Sequence, residues 1–477
     1  MDVAAGPHIA VVGGGISGLS AAWFLNQRLG DAARVTVLES AGTLGGKLRL
    51  GEIAGVTVDD GAESMLARRP EAVDLARAVG LGPALVHPET TQASLWSRGR
   101  LRPFPAGQLM GVPGDLRALA ASRVLSPAGL ARVPLDRVLP RTETSGDVSV
   151  GRYVASRMGR EVVDRLVEPL LGGVYAGQAD QLSLEMTVPQ LAEAAKGERS
   201  LLAAVRRVLA AAPRDRPVFA GLYGGLGRLP AAVAAASGAQ VRLGATVREL
   251  RRNPHGWRLS IGPAASATVL DVDAVVLAVP ARPASRLLAE EVPAASAELA
   301  GLDYASLAVV TLAYRRSAFA AFPAALAGSG FLVPPVEGRA VKAVTFASAK
   351  WRWLSEAATD LAVVRCSIGR HGEAHHLQRP DEALVTLAID ELAATTGVRE
   401  RPVDARAIRW GGSLPQYRVG HRSRVGRLRR AVAAVPGLAV CGAAYDGVGV
   451  AACIASGREA AAQVERSSAG GGQWAHG

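Results

Sequence analysis

The chain has 477 residues, 49% of them hydrophobic and 20% charged, a balance that supplies a large core and excludes extended disorder. At roughly 100 to 200 residues per domain the length implies two to four units and excludes a single small module. The net charge is +12, yet 50 of the 54 basic residues are arginines scattered without a block, and aromatic residues are only 4%, so a nucleic-acid footprint with stacking platforms is not expected.

Residues 8–12, HIAVV, read as a short buried strand running directly into Gly13-Gly14-Gly15-Ile16-Ser17-Gly18, then a helix from Leu19 to about Leu29 and a second strand from Arg34 to Glu39. Strand, glycine turn, helix and strand form the opening unit of a doubly wound dinucleotide fold. Gly13 supplies the tight turn, Gly15 the close approach of backbone to a pyrophosphate, and Gly18 the packing of helix on strand. The helix N-terminus then faces the phosphates. Glu39, followed by Ser40, stands at the spacing needed for a carboxylate to accept hydrogen bonds from a ribose diol. A second glycine pair, Gly45-Gly46 before Lys47, lets the chain pass close to the same cofactor, and Gly61-Ala62-Glu63-Ser64 is a small-residue turn suited to running beneath a flat ring.

Residues 71–216 change texture to Ala, Leu and Arg at helical spacing, which predicts a mostly helical insertion. Gly224 to Leu229 opens another helix, 240–250 and 257–261 read as paired strands, and 269–280 as one buried strand. Strands and helices then alternate from 285 to 405, which suits a second α/β domain. Near the end, strand 438–442 closes on Gly442, and Asp446-Gly447-Val448-Gly449-Val450 leads into a helix from 451 to about 465, whose amides would stabilise negative charge. The Gly- and Ser-rich residues 467–477 read as a disordered tail.

Cys366, Cys441 and Cys453 form an odd, widely spaced set without a CxxC, so neither a disulfide framework nor a zinc site is expected and a reducing compartment fits. His371, His375 and His376 lie close together without a metal motif and read as surface residues. No run of about 18 apolar residues appears, and the N-terminus has no basic n-region. The expected location is cytoplasmic, with membrane contact at most peripheral.

Together, the glycine motif with its acid, the Gly45-Gly46 pair, the returning strand with Val247, and the closing glycines 442, 447 and 449 resemble the FAD-dependent amine oxidase and protoporphyrinogen oxidase superfamily across essentially the whole chain. Residues 61–70 (GAESMLARRP), 169–177 (PLLGGVYAG) and 414–421 (LPQYRVGH) are similar to the porphyrinogen oxidases, most of all to the coproporphyrinogen III oxidases of Gram-positive bacteria.

The resemblance implies an α/β fold: a doubly wound, Rossmann-like FAD-binding domain drawn from residues 1–70, 217–284 and 406–466, a helical insertion over 71–216 contributing to the substrate site, and a substrate domain over 285–405. It implies non-covalent FAD with Gly13, Gly15, Ile16, Ser17 and Gly18 at the pyrophosphate and Glu39 with Ser40 at the ribose. Val247 would lie at the adenine, Gly45, Gly46 and Lys47 along the ribityl path, Gly61, Ala62, Glu63 and Ser64 at the isoalloxazine, and Gly442, Val448, Gly449 and Val450 at its pyrimidine end, with Trp410 nearby. A porphyrinogen and molecular oxygen are the expected partners, with a transient contact to a haem-pathway enzyme.

No protein base is required in principle, because the flavin carries the hard chemistry. Apolar clamping of the macrocycle is expected from Gly173, Val174, Tyr175, Phe331, Leu332 and Trp351, and propionate binding from Arg69 and then Arg68, since a planar guanidinium matches a carboxylate in two bonds. Tyr417 and His421 could form a polar pair near the cofactor, although a lone histidine is more often structural than catalytic. Competing readings are an amine oxidase or carotenoid desaturase, a flavin-free GDP-dissociation inhibitor of the same fold, and an NAD dehydrogenase.

Overall fold

The computed structural model describes residues 6–142, 146–211, 217–320, 322 and 328–470. At its centre is a five-stranded parallel sheet in the order Gln240–Arg242, Arg34–Leu38, His8–Val12, Ala274–Leu277, Leu438–Val440. Its inner strands, such as HIAVV and AVVL, are mostly apolar because both faces are covered, whereas the edge strand Gln240–Arg242 is exposed to half-buried. Ile9 and Val11 enter one core with helices Ile16–Leu29 and Val450–Gly470, while Ala10 and Val12 enter the other with Leu287, Leu299 and Leu428. The two helices approach so closely that a Cβ on Gly457 would lie 2.4 Å from the Ser17 carbonyl oxygen.

The expected single strand over 269–280 is two. Thr268–Val272 closes a three-stranded antiparallel sheet with Val247–Asn253 and Gly256–Ile261, and Ala274–Leu277 joins the parallel sheet. Asp273 marks the change, its carboxylate accepting from the His8 amide at 2.6 Å. The run 240–250 divides likewise, Gln240–Arg242 pairing in parallel with Arg34–Leu38 rather than with 256–261.

A seven-stranded sheet, in the order Asp404–Pro415, Tyr304–Arg315, Leu361–Ile368, Val341–Phe346, Gly330–Leu332, Ala93–Ser97, Arg100–Pro103, is antiparallel except where Gly330–Leu332 meets Ala93–Ser97. One face, with Val310, Leu312, Val364 and Ile368, packs on Leu384, Ala388 and Leu392 of helix Asp381–Thr396. The opposite face presents Leu307, Val309, Ala343, Thr345, Arg365 and Ser367 to a large cavity.

The described elements run across several of the expected boundaries. Residues 71–216 are helical mainly from Leu116 onward, and 93–103 supply two strands of the seven-stranded sheet. The divisions expected at 284/285 and 405/406 fall inside helix Ala281–Leu288 and strand Asp404–Pro415, because each element is continuous with the core it covers. The last helix reaches Gly470, past the point where a tail was expected, and 471–477 lie outside the described residues.

Candidate functional site

The cavity has a volume of about 870 Å³ and runs from the end of strand His8–Val12 to helix Glu168–Tyr175. At its first end Gly13 turns with φ +112°, where a Cβ would meet the Ala278 carbonyl oxygen at 2.6 Å. Gly15 precedes helix Ile16–Leu29 with no side-chain cap, and a Cβ there meets nothing within 4 Å, so the first amides of the helix are left to a ligand. Gly18 differs: it does not face the cavity, and its Cβ would sit 2.0 Å from the Gly13 carbonyl oxygen.

Glu39 lines the cavity, but its carboxylate also accepts from the Gly14 and Ala41 amides, both at 2.7 Å, and from the Ser40 hydroxyl at 3.1 Å. It therefore ties the glycine loop to the second strand while also lining the cavity. Gly45 stands beside Gly15, its amide donating to the Gly14 carbonyl at 2.9 Å. Lys47 then projects into the cavity with no carboxylate partner among the described residues, and burial lowers the pKa of its ammonium. An unpaired cation beside uncapped helix amides needs an anion; a diphosphate supplies one, so this end fits a dinucleotide. Arg248 and Val247 line the same stretch near Glu39.

Farther along, Gly61, Ala62, Glu63 and Ser64 form one wall. Gly61 is needed because a Cβ would approach the Lys47 carbonyl oxygen to 1.9 Å. Glu63 is held between Lys350 Nζ at 2.7 Å and Arg365 Nη1 at 2.6 Å; burial works against its charge, but the two cations prevail and hold its pKa at about 2. Asp60 is paired with Arg49 and Arg406, and its carbonyl accepts from Trp410 Nε1 at 3.3 Å. Asp59 accepts from the Leu226 and Gly227 amides, and burial pushes it up to about 6.

The opposite wall is built from Gly442, Val448 and Val450. Gly449 does not line it; its carbonyl accepts from the Cys453 amide. Cys441 is fully buried, and Cys453 lines the cavity with its thiol pushed up by burial.

Of the residues expected at the substrate, Gly173 and Val174 line the far end, and Leu332 packs beside them, 3.7 Å from where a Gly173 Cβ would stand. Five others lie elsewhere. Phe331 is in the core against Phe346, because its strand turns that side chain to the helix-covered face. Trp351 is 2% exposed and fills the space over Gly221. Tyr175 is buried, its hydroxyl donating to the Thr187 carbonyl at 3.4 Å. Arg69 begins helix Pro70–Ala78 and pairs with Glu71 at 2.7 Å, and Arg68 is exposed outside the cavity lining.

His421 accepts no catalytic position. Its Nε2 bonds the Ala444 carbonyl at 3.0 Å, and burial lowers its pKa to about 4. Tyr417 is likewise engaged, donating to the Ala443 carbonyl. Among the described residues no group of three or more His, Cys, Asp or Glu could hold a metal ion. Sequence reasoning missed Arg365, Lys350, Tyr304 and Ser413. The signal for the first was an arginine inside the apolar strand LAVVRCSI, where a charge must find a partner.

The family model for flavin containing amine oxidoreductases matches residues 16–465. The chain belongs to that family. It is an FAD-dependent oxidoreductase, and the cavity fits that cofactor at the uncapped helix and Lys47. The chain is 38% identical to the coproporphyrinogen III oxidase of Mycobacterium bovis, over 95% of this chain and 97% of that protein. It is 29% identical to the Bacillus subtilis enzyme of the same name, over 95% and 97%, and 30% identical to the protoporphyrinogen oxidase of Bos taurus, over 96% and 98%. A crystal structure from Exiguobacterium sp. superposes with a TM-score of 0.85 at 31% identity, covering 96% of this chain and 99% of that one. No helix among the described residues is long and apolar enough to cross a membrane.

Proposed function

We propose that the protein oxidises coproporphyrinogen III to coproporphyrin III, with molecular oxygen as the terminal acceptor and hydrogen peroxide as the second product. The observation that carries this reading is the near full-length likeness to enzymes bearing that name, found in a chain whose cavity extends past the Gly61–Ser64 wall to Gly173 and Val174. Bound FAD would supply the redox chemistry of the macrocycle's oxidation by oxygen.

The side chains do the remaining work. The uncapped amides of helix Ile16–Leu29 and Lys47 hold the diphosphate, and Glu39 holds the adenosine ribose. Gly61 to Ser64, Trp410 and Val448 would enclose the ring system and exclude water from it, orienting the macrocycle for oxidation. Gly173, Val174 and Leu332 offer an apolar surface to one face of the macrocycle. No titratable side chain is assigned as a base: His421 is bonded to a backbone carbonyl, and Glu63 is neutralised by two cations.

Oxidising one porphyrinogen to a porphyrin removes six electrons and six protons, enough to convert three O₂ to three H₂O₂. Purified, flavin-loaded protein should therefore show that ratio between oxygen consumed and porphyrin fluorescence gained. A flavin-loaded preparation that leaves coproporphyrinogen III unoxidised under air would refute the reading.

A further inference from the structure

The wall at Gly61–Ser64 holds a buried cluster that the binding roles above leave unexplained. Glu63 gives one oxygen to Lys350 Nζ at 2.7 Å and the other to Arg365 Nη1 at 2.6 Å. The Arg365 guanidinium also donates through Nη2 to the Gly61 carbonyl at 2.6 Å, so one side chain fixes both ends of the Gly61–Glu63 stretch. All three side chains are close to nine-tenths buried, with 15%, 12% and 10% exposure for Lys350, Glu63 and Arg365, and Arg365 Nε has no acceptor. The charges do not cancel: two cations face one carboxylate. Their surroundings do not remove the excess: Asp59, which burial pushes up only to about 6, is a carboxylate at neutral pH, but neighbouring Asp60 is held by two further cations, Arg49 and Arg406, so four cations face three carboxylates. Glu63 and Arg365 both line the cavity.

A buried, unneutralised charge acts over several ångströms with little screening. We propose that the Lys350–Glu63–Arg365 cluster is an electrostatic positioning device that holds one net positive charge against the ring end of the FAD site and raises the reduction potential of the bound flavin by favouring its electron-rich, reduced form. Lys350 and Arg365 act through the wall and are positioning residues. The proposal rests on the ring end lying at Gly61–Ser64; it is independent of which porphyrinogen is oxidised.

Its test is the reduction potential of the flavin in the intact FAD-loaded protein, titrated anaerobically against a reference dye with no porphyrinogen present. Arg365→Gln and Lys350→Gln each remove the excess charge and should lower the equilibrium constant for reduction at least about tenfold, a shift of about 30 mV for two electrons. Arg365→Lys should restore most of the parent value. Glu63→Gln adds to the excess and should move the potential the other way. A cluster that merely braced the loop would shift all the variants in one direction or none, and either result overturns the proposal. Should Arg365→Gln or Glu63→Gln fail to fold, Lys350→Gln decides, since Lys350 lies outside the cavity lining and its loss leaves every Arg365 hydrogen bond in place; an unchanged potential there also overturns the proposal. Turnover with coproporphyrinogen III is a separate readout, so failure of the substrate reading would leave these potentials unaffected.

Discussion

Within one glycine motif, two residues do different jobs, and the surroundings of an added methyl group separate them. At Gly15 a Cβ meets no protein atom within 4 Å and the backbone is ordinary, with φ −75°, so Gly15→Ala should leave the flavin-free fold within about 0.5 kcal/mol of the parent. The methyl group would stand where a phosphate must approach, and FAD affinity should fall at least about tenfold. At Gly18 a Cβ would meet the Gly13 carbonyl oxygen at 2.0 Å and the Ala278 side chain at 3.0 Å. Gly18→Ala should destabilise the flavin-free protein by about 1 to 3 kcal/mol through overpacking. Chemical denaturation of apoprotein and fluorescence titration with FAD measure the two effects. Equal loss of apo stability in both variants would show that the Gly15 position is structural too.

Helix Glu168–Tyr175 carries Gly173 and Val174 to the cavity, and it is entered through a π-helical turn over Val163–Val167. Glu168, at its head, is pushed up to about 7, mainly by burial; the Ala179 amide it accepts from opposes the shift, and Asp180 adds to it. The folded state thus holds this proton more tightly than the unfolded chain does. Its contribution is most favourable below about pH 4.5 and is lost as pH rises through about 7. Glu168→Gln keeps an acceptor for Ala179 and removes the charge. Stability should rise by about 2 to 3 kcal/mol at pH 8 and match the parent at pH 4, read as paired denaturation curves; equal stability at both pH values would show that the carboxyl is not buried as described.

Much of this scale was legible in the sequence. Residues 8–39 announced strand, turn, helix and strand because local glycine geometry and an unbroken apolar strand both point to one arrangement. The run 269–280 hid its break, since the one residue at which the strand changes sheets, Asp273, leaves the apolar pattern intact. Phe331 and Trp351 were misplaced for a related reason. Apolar side chains fit a cavity wall and a core equally well, and only the register of the seven-stranded sheet decides that Ala343 and Thr345 line the cavity while Phe331 and Val344 do not. Arg69 was drawn to the site by its distance from Gly61 along the chain, whereas the turn into helix Pro70–Ala78 gives it to Glu71.

In the whole molecule, the cavity is assembled from residues far apart in the chain: Gly13 and Gly15 to Ser17, Glu39, Ser40, Gly45 to Lys47, 61–64, 245–248, Trp410, Gly442, Val448 and Val450. The parallel sheet brings the first and last of these together at the carboxyl ends of its strands, and the seven-stranded sheet contributes Arg365 and Trp410 to the same cavity. Motif spacing could therefore find the cofactor while leaving the substrate open, because the residues that touch a macrocycle come from long-range packing. Coproporphyrinogen III carries four propionates and protoporphyrinogen IX two propionates with two vinyl groups. The deciding measurement is kcat/KM for the two porphyrinogens side by side under air, followed by porphyrin fluorescence and peroxide. The proposed function requires a higher value for the four-propionate substrate, by at least about tenfold, the worth of one charge-assisted hydrogen bond. A preference for protoporphyrinogen IX would contradict it.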